Sequence, residues 1–270
     1  MRSADGELSL GHALALGLLQ GPAELLPVSS SAHTALLPWL AGWPGAGLDG
    51  EAHKSLQIVL HAGTTAALSL AMGRELRLGL GALGARRAAG LLTLSCAPAA
   101  IAGLTLRGAI ERRLGGPRAT AVGLLAGAVA MGVADLASEQ RGRGCGEADA
   151  RDGLALGLAQ AAALVPGISR SGAALTVARA RGFDRAGAHR LSWGVALPVL
   201  TGVSALESLR LLKGRAGIPL ASAASGGAAA FLSTLASVRV LGRPRGSLLP
   251  YALYRCGLAA AVLLRLRRAQ

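Results

Sequence analysis

Residues 14–20 read LALGLLQ and residues 154–160 read LALGLAQ, six of seven identical at an offset of 140 positions (154 − 14). The same offset pairs Ser29 with Ser169 and Ser31 with Ser171. Both copies run from an apolar segment through a proline into a serine cluster, ELLPVSSSAH in the first and ALVPGISRSG in the second. An internal repeat constrains a chain strongly, because one structural plan has to serve twice.

The segments C-terminal to each copy fix the setting. Six windows are long enough to cross a bilayer, which takes about 20 mostly apolar residues: 55–73, 88–106, 119–137, 191–206, 218–241 and 249–264. Three come after the first copy and three after the second. The serine-motif segments themselves, 8–40 and 153–180, are broken by Gly and Pro. Irregular backbone at membrane depth is tolerated only where protein or a water-filled cavity surrounds it, so both segments read as re-entrant hairpins. Three crossings is an odd number, and the second copy must then enter from the opposite side. The expected fold is an all-α polytopic membrane protein with an inverted-topology repeat, each half a re-entrant helical hairpin plus three transmembrane helices. It forms a single integral membrane domain over 1–270, with repeat 1 at about 8–137 and repeat 2 at about 153–265. Paired broken segments in matching halves point to a site near the midplane, one wall from each half.

Composition agrees with that setting. The chain is 52% hydrophobic and only 16% charged, with a mean hydropathy of +0.48, apolar for a soluble enzyme of this length. A net charge of +14 raises the question of nucleic acid. The basic residues are spread through the short loops between spans rather than gathered on one helix or tail, which marks membrane-flanking positions instead. They divide almost evenly between the two sides, so the positive-inside rule leans only slightly toward external termini. Cys96, Cys145 and Cys256 have neither metal-ligand spacing nor a pairing pattern. Arg2 is followed by Asp5 and Glu7, and the apolar run leads straight into the first motif, which argues against a cleaved signal peptide.

Ionisable groups inside apolar segments narrow the search, since a charge at the bilayer centre costs about 2.5–3.5 kcal/mol even on a lenient scale. Glu24, Arg170 and Arg255 stand out, with His33 and His61 as titratable neighbours. The run PGISRSG has the makings of a phosphate cradle: Gly167 and Gly172 permit close backbone approach, Ser169 and Ser171 offer hydroxyls, and Arg170 supplies a planar fork for two phosphate oxygens. In the first motif Gln20 and Glu24 are four apart and share a face if helical. A carboxylate and a phosphate repel each other; a divalent cation between them removes the conflict, and carboxylate and amide oxygens suit Mg²⁺ or Ca²⁺.

With those residues in view, LLQGPAELLPVSSSAH and LVPGISRSG resemble the two signature motifs of the undecaprenyl-diphosphate phosphatase family, also called bacitracin-resistance proteins. Further agreement lies in LHAGT at 60–64, LSWGVALP at 191–198 and LPYALYR at 249–255, so the resemblance spans nearly the whole chain. It implies a multi-pass enzyme of the bacterial cytoplasmic (inner) membrane that removes the terminal phosphate of undecaprenyl diphosphate and recycles the carrier lipid for cell-wall synthesis. Carried over by position, Gln20 and Glu24 match the acidic, metal-binding motif. Ser29, Ser30 and His33 match the serine–histidine run, and Gly167, Ser169, Arg170 and Ser171 the arginine motif. Glu24, Ser30, His33 and Arg170 are then the catalytic set, with Ser30 or His33 as nucleophile or His33 activating water. Ser29, Gly167, Ser169, Arg170 and Ser171 bind the substrate phosphates. Three positions depart from the pattern: Gln20 stands where many members have Glu, Ala174 where Thr is usual, and Ala32 where Gly precedes the histidine.

The implied partners are a polyprenyl diphosphate lipid, the surrounding membrane lipids and, as an oligomeric arrangement to test, a second copy in a homodimer; nucleic acid is not among them. The competing class is transport, since a polyprenyl-phosphate flippase could use the same phosphate-binding site and the same inverted plan. A relative that keeps the fold without the activity is a third reading. The type-2 phosphatidic-acid phosphatase pattern is excluded by position, because its His and Asp would fall on Thr176 and Ala180.

Overall fold

The computed structural model describes residues 8–43, 50–81, 83–138, 142–213, 218–241 and 246–268. Residues 1–7, on which the signal-peptide reading rests, lie outside them, as do residues 139–141, 214–217 and 242–245 that enter the charge balance. Among the described residues the regular structure is helical: α1 Leu10–Leu25, α2 Ser30–Ala41, α3 Gly50–Gly81, α4 Ala85–Thr105, α5 Arg107–Leu114, α6 Pro117–Ala137, α7 Ala150–Ala162, α8 Arg170–Ala180, α9 Arg185–Lys213, α10 Leu220–Leu241 and α11 Leu249–Arg268.

Local sequence explains the boundaries. Pro117 opens α6, where a missing N–H costs nothing. Asp149 caps α7 by accepting from Asp152 N, and Asp152 accepts in return from Asp149 N, a reciprocal capping box. Ser169 caps α8 by accepting from Gly172 N at 3.1 Å. Both serine-motif segments form pairs of short helices, α1–α2 (16 and 12 residues) and α7–α8 (13 and 11 residues), none long enough to cross a bilayer alone. Among the described residues five helices are long and apolar enough to cross: Lys54–Gly73 within α3, then α4, α6, α10 and α11. The window at 191–206 lies inside α9, whose 29 residues also carry Arg185, Arg190 and Glu207.

The chain divides into two compact units, one of residues 1–25, 33–71 and 200–242, the other of 26–32, 72–199 and 243–270. These are not the sequence repeats, since each draws helices from both. In the first unit α1 packs on α10. A Cβ on Gly17 would stand 2.5 Å from Gly226 O and one on Gly21 would collide with Ser233, so this spacing of small residues lets the backbones touch. In the second unit α7 packs on α4 in the same way. A Cβ on Gly153 would meet Leu91 O at 2.9 Å, and one on Gly157 would run into Leu94 O. Gly157 is Gly17 plus 140. The opening helix of each repeat thus packs on the second long apolar helix of the other.

Outward faces stay apolar. Val122, Val129, Val133 and Leu136 on α6 are each more than half exposed, a continuous surface that suits lipid and not water. The three cysteines are free and partly buried.

Candidate active site

In the first unit, Gln20 and Glu24 lie one turn apart on α1, buried at 0% and 5% exposure. Pro22 between them cannot donate to Leu18 O; Ser233 of α10 supplies the bond instead, its hydroxyl 2.5 Å from Leu18 O. Gln20 Nε2 donates to Glu24 Oε2 at 3.2 Å, while Gln20 Oε1 is buried without a partner. His61 of α3 brings Nε2 to 3.7 Å from the same Glu24 Oε2, and its Nδ1 lies 2.8 Å from Gln57 O. Gln57 Nε2 in turn donates to Thr34 Oγ1 at 3.4 Å, next to His33, which is buried on α2. Among the described residues no group of three or more His, Cys, Asp or Glu side chains could hold a metal; the cluster at Glu24 is a mixed one in which an amide is the third member.

In the second unit the two serine runs meet. Arg255 of α11, 1% exposed, sends Nη1 to Pro27 O at 3.3 Å and Nη2 to Gly167 O at 3.0 Å. Those carbonyls are themselves 140 positions apart (167 − 27), so one guanidinium ties together equivalent points of the two repeats. Gly127 and Gly172 leave room for it, since a Cβ at either would strike its guanidinium nitrogens. Ser171 Oγ adds a 3.4 Å bond to Leu26 O. Ser169 and Ser171 hydroxyls are 3.1 Å apart and their counterparts Ser29 and Ser31 are 3.4 Å apart.

The backbone at these turns is specialised. Gly167 has φ 89°, and a Cβ there would run into Thr120 O of α6, so only glycine fits. Ser29 has φ 74°, the left-handed conformation that non-glycine residues adopt at a cost. Ser30 and Arg170 are the first residues of α2 and α8, both partly exposed. Arg170 therefore adds its charge to the positive end of the α8 dipole, an arrangement suited to an anion. Of the departures from pattern, Ala174 is buried among apolar side chains and the Thr176 hydroxyl is spent on Gly172 O at 2.8 Å.

The boundary between units divides the sequence-derived residues. Gln20, Glu24 and His33 belong to the first unit; Ser29, Ser30, Gly167, Ser169, Arg170 and Ser171 belong to the second.

Two carboxylates outside the sequence-derived set organise the second unit. Asp135, fully buried at the end of α6, accepts from Arg179 Nε (3.0 Å), Arg185 Nη2 (3.2 Å), Ser247 Oγ (2.9 Å) and Leu248 N (2.8 Å). It thereby joins the ends of α6, α8, α9 and α11. Asp152 accepts from Arg181 Nε at 2.6 Å and Arg143 Nη2 at 2.9 Å, clamping the start of α7 to the end of α8 and closing that hairpin. Burial pushes the Asp152 carboxyl upward, but the bonds from Arg143 and Arg181 outweigh it and hold its pKa below the ordinary value. At the matching position in repeat 1, His12 stacks on Trp43 at 4.4 Å, just past the end of α2. The criterion that singles out Glu24, a charge inside an apolar window, applies equally to Asp135.

Comparison with known proteins adds an independent line. The family model of Bacitracin resistance protein BacA matches residues 13–261. An undecaprenyl-diphosphatase of Geobacter sulfurreducens is 38% identical over 95% of this chain and 98% of its own length. Those of Geobacter metallireducens (36%) and Pelobacter propionicus (34%) match over 94% and 95% of the chain and 97% of their own lengths.

Proposed function

Because the chain belongs to the BacA bacitracin-resistance family, a family of multi-pass membrane proteins, we propose that it hydrolyses undecaprenyl diphosphate to undecaprenyl phosphate and inorganic phosphate. The reaction recycles the cell-wall carrier lipid, and its place is the bacterial inner membrane. The observation that carries the reading is the Arg255 bridge between Pro27 O and Gly167 O. It holds two serine runs and the Arg170-bearing start of α8 side by side, a constellation of donors with no purpose in a packed apolar core. The reciprocal packing of α1 on α10 and α7 on α4 supports reading the halves as an inverted pair.

In this reading Arg170 grips the terminal phosphate with its fork, and Ser169, Ser171, Ser29 and the Gly167 turn supply neutral donors and close backbone approach. The bond between the terminal phosphorus and the bridging oxygen breaks, the lipid monophosphate leaves with that oxygen, and water supplies the oxygen that completes inorganic phosphate, directly or after an enzyme-bound phosphoryl step. Ser30 or His33 is the nucleophile, or His33 takes the proton from water. Glu24 and Gln20 fit a divalent cation, because a buried amide oxygen without a partner stands beside a carboxylate. When bound, such an ion neutralises diphosphate charge.

The test is phosphate release from a polyprenyl diphosphate by purified protein in detergent, with and without EDTA. Chelator-sensitive release is expected. No release from any prenyl diphosphate overturns the assignment; release that ignores the chelator removes the cation alone.

A further inference from the structure

Resting on the hydrolase reading, we propose that a groove between α6 and α8 seats the prenyl chain of the lipid diphosphate, and that Ala126 and Ala130 set its width. Both helices belong to the second unit. Val122, Ala126, Ala130 and Val133 of α6 and Thr176 and Ala180 of α8 line it, and its volume is about 870 Å³, within the range of about 300–1,000 Å³ of small-molecule sites. From Val122 to Ala137 it follows α6 for about 22 Å at about 1.5 Å per residue, most of the roughly 30 Å hydrocarbon layer. Its direction identifies the occupant. One end adjoins the phosphate-binding turn: next to Val122 stands Gly123, where a Cβ would run into Pro166 O and lie 3.3 Å from Gly167 Cα. On α8 the groove-lining positions 176 and 180 continue a row of 169, 173, 176 and 180, whose spacing is that of one helix face, and Ser169 heads that row as the N-cap. A chain attached one phosphate beyond the group held at Arg170 leaves the site along that row.

The lining calls for hydrocarbon. The Thr176 hydroxyl donates to Gly172 O at 2.8 Å. At the far end Ser138 joins the lining, and its carbonyl accepts from Arg179 Nη2 at 3.0 Å while Arg179 Nε donates to Asp135 Oδ1 at 3.0 Å. With these polar groups already paired, that end offers nothing to the headgroup of an ordinary phospholipid. Val122, Val129 and Val133 are exposed along the groove, which leaves it open sideways, so a long chain enters from the bilayer without threading. Surrounding lipid is as apolar as the lining, and the chain therefore gains by packing and alignment rather than by leaving water. Remote contacts of that kind orient the reacting end, which is why truncated substrates lose rate as well as affinity.

Phosphate release from undecaprenyl diphosphate and from farnesyl diphosphate, measured in the same mixed micelles, tests this through the ratio of kcat/KM for the long chain to that for the short one. Ala126→Phe and Ala130→Phe each place a ring in the groove at an exposed position, so neither needs the core to move. Each should lower that ratio about three- to tenfold relative to wild type. This is less than the roughly 10- to 200-fold that one methylene commands in a closed apolar pocket, because lipid replaces part of the lost contact. Ile101→Phe, at an exposed position of α4, should leave the ratio and both rates unchanged, and all three variants should melt near wild type. An unchanged ratio in both groove variants, the result expected if a structural phospholipid fills the groove, overturns the proposal, and so does an equal fall in Ile101→Phe. A changed oligomeric state in the groove variants overturns it as well, by making this face a contact between copies. If the wild type releases phosphate from neither substrate, the hydrolase reading itself falls and this inference with it.

Discussion

Replacing Arg255 by lysine tests whether one guanidinium holds the two motif turns together. The native fork makes two bonds, at 3.3 Å to Pro27 O and 3.0 Å to Gly167 O, at a position 1% exposed. Lysine presents one nitrogen where the guanidinium presents two at fixed spacing, so the pair of directed bonds is expected to be weakened by about one bond. A hydrogen bond to a charged group is worth about 1.5–3 kcal/mol, so Arg255→Lys should lose about that amount. For a domain of this size one kcal/mol moves the melting point by about 2–4 °C, which predicts a fall of roughly 3–12 °C at fixed scan rate in detergent. Arg255→Met loses both bonds and should melt lower still. Phosphate release should fall in both, because the Gly167 turn leads directly into Ser169 and Arg170. The opposite ordering refutes the bridge: if Met matches the wild type and Lys alone is destabilised, the side chain only fills space and its two bonds carry no weight.

Three other outcomes rest on the same geometry. Arg170→Lys keeps the charge but loses the fork; at about 1.5–3 kcal/mol and 1.36 kcal/mol per factor of ten, specific activity should drop roughly 10- to 150-fold with yield near wild type, and a fully active lysine enzyme removes Arg170 from phosphate gripping. Gly157→Val drives a Cβ into Leu94 O and the Pro98 ring and should cost about 1–3 kcal/mol as overpacking, whereas Gly103→Ala, with open space around it, should melt no lower than wild type. Asp152 has a folded pKa below its unfolded value, so its contribution is present above about pH 4 and lost as pH falls through the folded pKa. Melting points should therefore be level from neutral pH to about pH 5 and decline below about pH 4, and Asp152→Asn, lower at neutral pH by about 1–3 kcal/mol after allowing for its half-exposed arginine partners, should decline less.

The class of protein and much of its chemistry are legible in the order of residues alone. Hydrophobic window lengths are a local property, so the long helices can be read from composition, and the 140-residue offset announces two matching helical hairpins broken at PVSS and PGISRS. Gln20 and Glu24 fall on one helical face because spacing within a helix follows from its pitch. Partners supplied by distant backbone, in contrast, exist only once the chain has folded. Arg255 reaches carbonyls 228 and 88 positions away, and a carbonyl belongs to every residue, so no pattern of side chains could point to Pro27 or Gly167. The same holds for Asp135, whose partners come from the ends of three other helices, and for His61, which the sequence marks as titratable within an apolar segment without indicating that its Nε2 comes to Glu24. Packing of α1 on α10 and of α7 on α4 is likewise invisible to periodicity, because a stripe of small residues says that a close neighbour exists and not which helix it is.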